Sequence, residues 1–157
     1  MATTLNADTS TGGFIATGDA SGDLGLQADG TTLATLSGSK VLFEGGIGEE
    51  YVAVTSTSNA TTVDLDTATN FSHTLTENTT FTFSNPVASG RASSFTLKIV
   101  QDASASGFTV TWPAAVDWPG GTAPTLTATA SAVDQFVFYT HDAGTTWYGF
   151  VAGQDMG

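Results

Sequence analysis

The sequence contains no cysteine and very few basic residues. Without cysteine it can form no disulfide bond, no thiolate metal site and no thiol nucleophile. Only 3 residues are Lys or Arg, against 15 Asp or Glu, and the formal net charge of the 157 residues is -12. Nucleic acids and anionic membranes bind clustered basic side chains, but Lys40, Arg91 and Lys98 are scattered along the chain. We therefore expect neither kind of partner.

Helical and membrane-spanning patterns are also missing. No stretch of a dozen residues places apolar side chains at the spacing of an amphipathic helix, and no apolar run reaches the length of a membrane span. Residues 1–14 lack the basic region and the apolar stretch of a signal peptide. We therefore expect no signal peptide and no membrane insertion.

Short runs that alternate β-branched or aromatic residues with small polar ones dominate the chain after residue 50. Turn-forming residues separate these runs, which recur about every ten residues. This pattern predicts an all-β fold, with an antiparallel β-sandwich or jelly-roll-like domain over residues 49–157. The predicted strands are 51–55, 61–66, 71–75, 80–84, 94–100, 108–112, 125–129, 135–140 and 147–152. The predicted core residues are Phe95, Leu97, Ile99, Phe108, Val110, Trp112, Phe136 and Phe138.

Residues 1–48 have a different composition, rich in Gly, Thr, Ser, Ala and Asp. Their apolar residues occur in small clusters between Gly-rich turns, too few to close a core, so they predict an extended N-terminal arm with short strands. The stretch EGGIGEE, 44–50, is the predicted hinge. Such an arm gains burial only against another surface, which makes these residues candidates for anchoring or for an oligomer interface: Phe14, Ile15, Leu24, Leu26, Leu33, Leu36, Val41, Leu42 and Phe43.

The segment THDAGTTWYGF, residues 140–150, resembles the Asp box, S-x-D-x-G-x-T-W, a hairpin of sialidases and of many unrelated β proteins. The matching residues are Thr140, Asp142, Gly144, Thr146 and Trp147. Their roles are structural, because the carboxylate can accept bonds from backbone N–H groups of its turn, the glycine allows positive φ, and the indole covers the hairpin. A sialidase would need several arginines, and the chain has only Arg91. The sequence therefore predicts a structural hairpin.

The two histidines, His73 and His141, are too few to indicate a catalytic centre. His141 and Asp142 are adjacent at a strand end and point to opposite sides, so they cannot form a base and its orienting carboxylate. No G-x-S-x-G motif supplies a nucleophile. We therefore interpret both histidines as surface or turn residues, and we predict no catalytic residue.

Asp64 and Asp66, in the run VDLD, would lie on one face of a strand and offer oxygen ligands to a hard cation. Two carboxylates fall short of a calcium site, and no EF-hand loop is present, so a solvated face is the simpler interpretation. The same holds for three aspartates of the arm, Asp19, Asp23 and Asp29. We therefore predict no metal site and no cofactor.

A sugar-binding platform is a further alternative. It would be lined by aromatic side chains, with Glu77 or Asp117 as an acid, and its candidate residues are Trp112, Trp118, Trp147 and Tyr148. Two Trp-Pro steps and a glycine pair in 112–121 favour a rigid extended loop instead, with indoles that pack on the sheet edge.

From about residue 55 to the end, and especially in segments 62–102, 109–150 and 152–157, the chain is similar to the C-terminal β domain of tail-fibre, head-fibre and capsid-decoration proteins of tailed bacteriophages, marine ones in particular. The arm segment GDASGDLGLQADGTTLATLSG, 18–38, resembles the anchoring or fibre-shaft segments of the same proteins. The resemblance implies a non-enzymatic virion structural protein that forms oligomers, most often trimers.

Together with the unclosed arm, this resemblance favours a capsid decoration (cement) protein attached through residues 1–48. A tail-fibre or head-fibre tip that contacts the host surface is the first alternative, and a carbohydrate-binding or glycoside-hydrolysing module is the second. The expected partners are further copies of the chain, the major capsid protein or another virion protein, and, for a tip, a host-surface glycan. The expected location is the virion, after assembly in the host cytoplasm.

Overall fold

The computed structural model describes residues 24–28, 31–36, 41–43 and 45–156. The chain forms two compact units, residues 1–48 and residues 49–157. The boundary lies within the glycine- and glutamate-rich stretch 44–50. We refer to them as the arm unit and the β unit.

The described part of the arm unit is a small antiparallel sheet. Its strands are β1 (Leu24–Ala28), β2 (Thr31–Leu36) and β3 (Val41–Phe43), in the order β1-β2-β3. Within this sheet β3 is an edge strand, paired only with β2. Ala34 of β2 is buried, whereas all three side chains of β3 are exposed.

The β unit contains nine strands within residues 49–156. They are β4 (Tyr51–Ala53), β5 (Ala60–Asp64), β6 (Asn70–Thr74), β7 (Thr79–Ser84), β8 (Ser93–Val100), β9 (Val110–Thr111), β10 (Val116–Asp117), β11 (Val133–Thr140) and β12 (Trp147–Gly153). A single 3₁₀ turn, Pro119–Gly121, is the one helical element among the described residues. None of the described helical structure is long and apolar enough to cross a membrane.

These strands form two sheets. The larger sheet has the order β10-β12-β11-β8-β6-β4, and the smaller has the order β5-β7-β9. From β4 to β9, consecutive strands lie alternately in the larger and the smaller sheet. A strand of one sheet therefore links consecutive strands of the other, as β5 links β4 to β6. After β9, β10 to β12 extend the larger sheet beyond β8.

The all-β prediction is confirmed, but the expected antiparallel pairing was wrong for five of the seven strand pairs of this unit. β8/β11 and β11/β12 are antiparallel, and the parallel pairs are β4/β6, β6/β8, β5/β7, β7/β9 and β10/β12. Two parallel neighbours need a connection that returns the chain to its starting end. In β4 to β9 the intervening strand of the other sheet provides that return.

Side chains from both sheets meet in one core. Phe81 and Val63 of the smaller sheet share it with Phe71, Leu97 and Phe136 of the larger sheet. Phe83 is in edge contact with Phe95 at 4.9 Å between ring centroids, and Phe95 stacks on Phe138 at the same distance. The predicted core residues of β8 and β11 are all buried, and those of 108–112 are partly buried against them.

Two predicted strands differ from the structure. The run 108–112 contributes only the two residues of β9, and 125–129 forms no strand. In the second run, the Thr127 N–H donates to the carboxylate of Asp134 at 2.7 Å, so a side chain takes the bond that a strand partner would accept. The short strand β10 was not predicted.

Candidate functional sites

The turn between β11 and β12 is held by the side chain of Asp142. Its Oδ1 accepts hydrogen bonds from the Thr146 N–H at 3.0 Å and from the Thr140 hydroxyl at 2.8 Å. The Thr140 hydroxyl oxygen in turn accepts from the Gly144 N–H at 3.1 Å. The bonds from the Thr146 N–H and the Thr140 hydroxyl hold the pKa of Asp142 below its ordinary value, because they favour its charged form.

Trp147 ties this turn to the core. Its side chain is 2% exposed, and its ring lies 5.4 Å from the rings of both Phe83 and Phe95. Gly144 has φ of 77°, and a Cβ there would lie 3.0 Å from Nε1 of Trp147. Glycine at this position therefore allows the positive φ and leaves room for the indole of Trp147. The structure thus brings the five Asp-box residues together in one turn, which is held by side-chain hydrogen bonds and followed by the buried Trp147.

The tryptophans of the alternative sugar platform do not form one exposed surface: Trp112 and Trp118 line different cavities. Trp118 and Trp147 are buried, and Trp112 is partly buried and stacks on Phe81 at 5.6 Å. Trp118 also contacts Phe138, with 5.6 Å between centroids. The segment that carries Trp112 and Trp118 therefore covers the core side of β11 and β12. Burial therefore leaves Tyr148, and neither Trp118 nor Trp147, as an exposed aromatic side chain of the platform considered from the sequence.

The interpretation of His73 as a surface or turn residue was wrong. It lies in β6 and is buried, with its Nδ1 at 2.9 Å from the carbonyl oxygen of Val54 and its Nε2 at 3.2 Å from the hydroxyl of Thr79. Its ring also contacts Phe81 edge-on at 5.4 Å. The alternation in FSHTL places Phe71 and His73 on one face of the strand, a signal that the sequence did contain. His141 is exposed, as expected.

Asp64 and Asp66 do not share a strand face, because β5 ends at Asp64. Oδ1 of Asp64 accepts the Asp66 N–H at 3.0 Å and the Asn85 amide at 2.7 Å, so this carboxylate closes a turn. Across the described residues no group of three acidic, histidine or cysteine side chains is placed to hold a metal ion. Asp19, Asp23 and Asp29 lie outside the described residues.

Asp134 carries a buried carboxylate that was not predicted from the sequence. This side chain is 2% exposed, and it accepts hydrogen bonds from the Thr127 N–H, the Thr127 hydroxyl at 2.8 Å and the Asp155 N–H at 3.1 Å. It thereby fixes both the loop before β11 and the segment after β12. The sequence contained a sign of this burial: Asp134, Phe136 and Phe138 are spaced two residues apart, which places all three on the inward face of β11.

The outer face of the larger sheet carries exposed aromatic side chains at its β11–β12 side. We call them the aromatic strip: Tyr139, His141, Tyr148 and Phe150. Tyr139 and Tyr148 are register partners with ring centroids 6.4 Å apart. The His141 and Tyr148 rings have nearly parallel planes, 1° apart, at 6.2 Å.

A groove of about 430 Å³ adjoins the strip at the β10 edge of the sheet. Tyr148 and Phe150 line it together with Asp117 of β10 and the turn Pro119–Gly121. Asp117 is the register partner of Tyr148. Of the acids considered for a sugar site, Asp117 therefore lies beside an exposed aromatic ring, whereas Glu77 lies in the turn between β6 and β7.

The predicted anchoring residues are described only in part. Phe14 and Ile15 lie outside the described residues, Leu24 lies in β1, and Leu33 and Leu36 lie in β2. Leu26 is exposed, as are the three residues of β3, Val41, Leu42 and Phe43, at 53%, 47% and 53%.

No protein-family model matches the chain, and no curated protein and no solved structure matches it either.

Proposed function

We propose that the chain is a non-enzymatic structural protein of a tailed-phage virion, a capsid decoration protein that attaches through its arm unit. The β unit is the two-sheet, sandwich-like body that the particle displays. The observation that carries the proposal is β3, in which three consecutive large apolar side chains are exposed at a sheet edge. The reason for proposing a phage virion as the particle is the resemblance of the chain to decoration and fibre proteins.

An edge strand with these properties is suited to association. Because consecutive side chains of a strand point to opposite faces, exposure of Val41, Leu42 and Phe43 leaves both faces of β3 open. Among the described residues β3 pairs only with β2, and an edge strand of this kind can present backbone groups to which another strand adds. Isolated small sheets are marginally stable, so the arm unit gains from such a partner.

The strength of one such contact is modest. Full burial of a large apolar side chain contributes about 1.5 to 3 kcal/mol, so three side chains that are already half covered contribute roughly 2 to 4 kcal/mol. A free energy of binding of about 4 kcal/mol corresponds to a dissociation constant near 1 mM. One arm therefore binds weakly, and firm attachment requires several arms in one symmetric oligomer, for which we propose a trimer. Its partners are its own copies and the major capsid protein or another virion protein.

The exposed residues of β3 allow a direct test. A triple variant, Val41→Ser, Leu42→Ser and Phe43→Ser, is mixed with empty capsids of the phage that encodes the chain, and bound protein is measured by co-sedimentation. The matched control is Val87→Ser, which alters an exposed apolar residue of the β unit. We expect binding to be lost in the triple variant and retained in the control. Equal binding of wild type and triple variant would refute attachment through β3.

A further inference from the structure

We infer that the aromatic strip and the adjoining groove form a binding site for a neutral carbohydrate chain. The site is built by strand register. Asp117 lies opposite Tyr148 on β10 and β12, Tyr148 lies opposite Tyr139 on β12 and β11, and Tyr139 lies opposite Ser94 on β8. A carboxylate, two phenol rings and a hydroxyl therefore form one row across four strands.

Burial shows that this row faces outward. Trp147 and Phe138, the neighbours of Tyr148 and Tyr139 along their strands, are buried in the core. Since side chains alternate between the faces of a strand, Tyr148 and Tyr139 point to the other face. They are 39% and 38% exposed, and Phe150, two residues beyond Tyr148, is 50% exposed. The rings thus offer apolar area to a ligand that lies on the sheet.

The chemistry of the row matches a ligand with apolar C–H faces and many hydroxyl groups. Tyrosine combines an apolar ring with a polar tip, so it can both stack on a sugar ring and bond to a hydroxyl group. The Asp117 carboxylate has two oxygen atoms, and it can accept hydrogen bonds from two neighbouring hydroxyls. The groove volume of about 430 Å³ lies within the range of pockets that hold small ligands.

Charge and shape distinguish this ligand from other classes. A chain of net charge -12, with a carboxylate in the site itself, disfavours an anionic ligand. A cage for a single organic cation would turn several ring faces toward one point, with ring planes steeply inclined to one another. Here the rings of Tyr139, His141 and Tyr148 lie 5.9, 6.2 and 6.4 Å from one another, with planes inclined by 33° or less, so they form one patch on the sheet. The row from Asp117 to Ser94 continues this patch across four strands, which suits an extended ligand. The site does not require attachment to a capsid, so it can be tested on the free protein.

The test is affinity electrophoresis in native gels that contain one polysaccharide each: soluble β-glucan, mannan, galactan, or anionic alginate. We expect at least one neutral polysaccharide to retard the wild-type protein. Tyr139→Ala and Tyr148→Ala should abolish that retardation, and Asp117→Asn should weaken apparent affinity about tenfold, as loss of a charge-assisted hydrogen bond does. Each variant must keep the wild-type melting temperature, and Tyr148→Phe, which retains the ring, should keep most of the binding.

The matched control is Tyr51→Ala. Tyr51 is an exposed tyrosine on β4, at the far edge of the same sheet, and its hydroxyl bonds to Ser72. This variant should bind as the wild type does. Retardation by none of the neutral polysaccharides, retardation only by alginate, or equal retardation of the Tyr139 and Tyr148 variants would overturn the site. Self-association lost in Tyr148→Ala, without polysaccharide binding, would assign the strip to a second copy of the chain and would also overturn it.

Discussion

Replacement of Trp147 by alanine tests whether the Asp-box hairpin is part of the core. The side chain is 2% exposed, it contacts Phe83 and Phe95, and its backbone N–H donates to the Ala115 carbonyl at 2.8 Å. Truncation of a buried tryptophan to alanine costs about 3 to 5 kcal/mol, through lost apolar burial and the cavity that remains. For a domain near 100 residues each kcal/mol lowers Tm by about 4 to 8 °C. Tm should therefore fall by roughly 10 to 40 °C.

Differential scanning calorimetry of wild type, Trp147→Ala and Phe150→Ala measures this effect. Phe150 lies in the same strand but is 50% exposed, so its loss should lower stability by less than about 1 kcal/mol. The buried ring must therefore account for most of the difference between the two variants. A drop in Tm of less than about 3 °C in Trp147→Ala, below the effect of even 1 kcal/mol, would show that the indole does not anchor the hairpin in the core.

Three further predictions concern residues whose neighbours are defined. Asp134→Ala should lower the free energy of unfolding, measured by chemical denaturation, by about 2 kcal/mol or more, because the Thr127 and Asp155 N–H groups lose their acceptor. An unchanged free energy of unfolding would contradict this, because it would mean that water fully replaces the carboxylate. Asp142→Asn should lower Tm at pH 7, because a carboxyl group whose pKa is lowered in the folded state stabilises that state at any pH above its ordinary pKa of about 4. This stabilisation is lost as the pH falls through the lowered pKa, so the difference in Tm from the wild type should shrink there, and a pH-independent difference would contradict the prediction. Gly149→Ala should cost about 1 to 3 kcal/mol and shift tryptophan fluorescence, because its Cβ would lie 2.9 Å from the Trp118 ring; an unshifted spectrum and Tm would contradict that contact.

Local pattern was sufficient to predict the positions of β8 and β11 and the face that each of these two strands buries. Phe95, Leu97 and Ile99 alternate with polar residues, and all three are buried in β8. Such alternation reports which side chains share a face, but it carries no information on strand direction. Parallel pairing follows from the passage of the chain between two sheets, which depends on the whole core.

The candidate site was less predictable than the fold. Asp117, Tyr139 and Tyr148 are far apart in sequence, and only the register of β10, β12 and β11 places them in one row. The sequence indicated Tyr148 and Asp117 as sugar-binding candidates together with the three tryptophans. Trp118 and Trp147 are buried, because large aromatic rings contribute much apolar area to the core. Burial therefore separates the core aromatics from the exposed strip.

The most direct test of the proposed role is a measurement of how many copies bind per capsid after deletion of residues 2–46. Purified wild-type and truncated protein are added to empty capsids in excess, and occupancy is counted by cryo-electron microscopy, with circular dichroism to verify that the β unit remains folded. If the arm unit attaches the protein, occupancy should be saturated and symmetric for the wild type and absent for the truncated protein. Undiminished occupancy by the truncated protein would contradict this, because the β unit would then be the part that attaches.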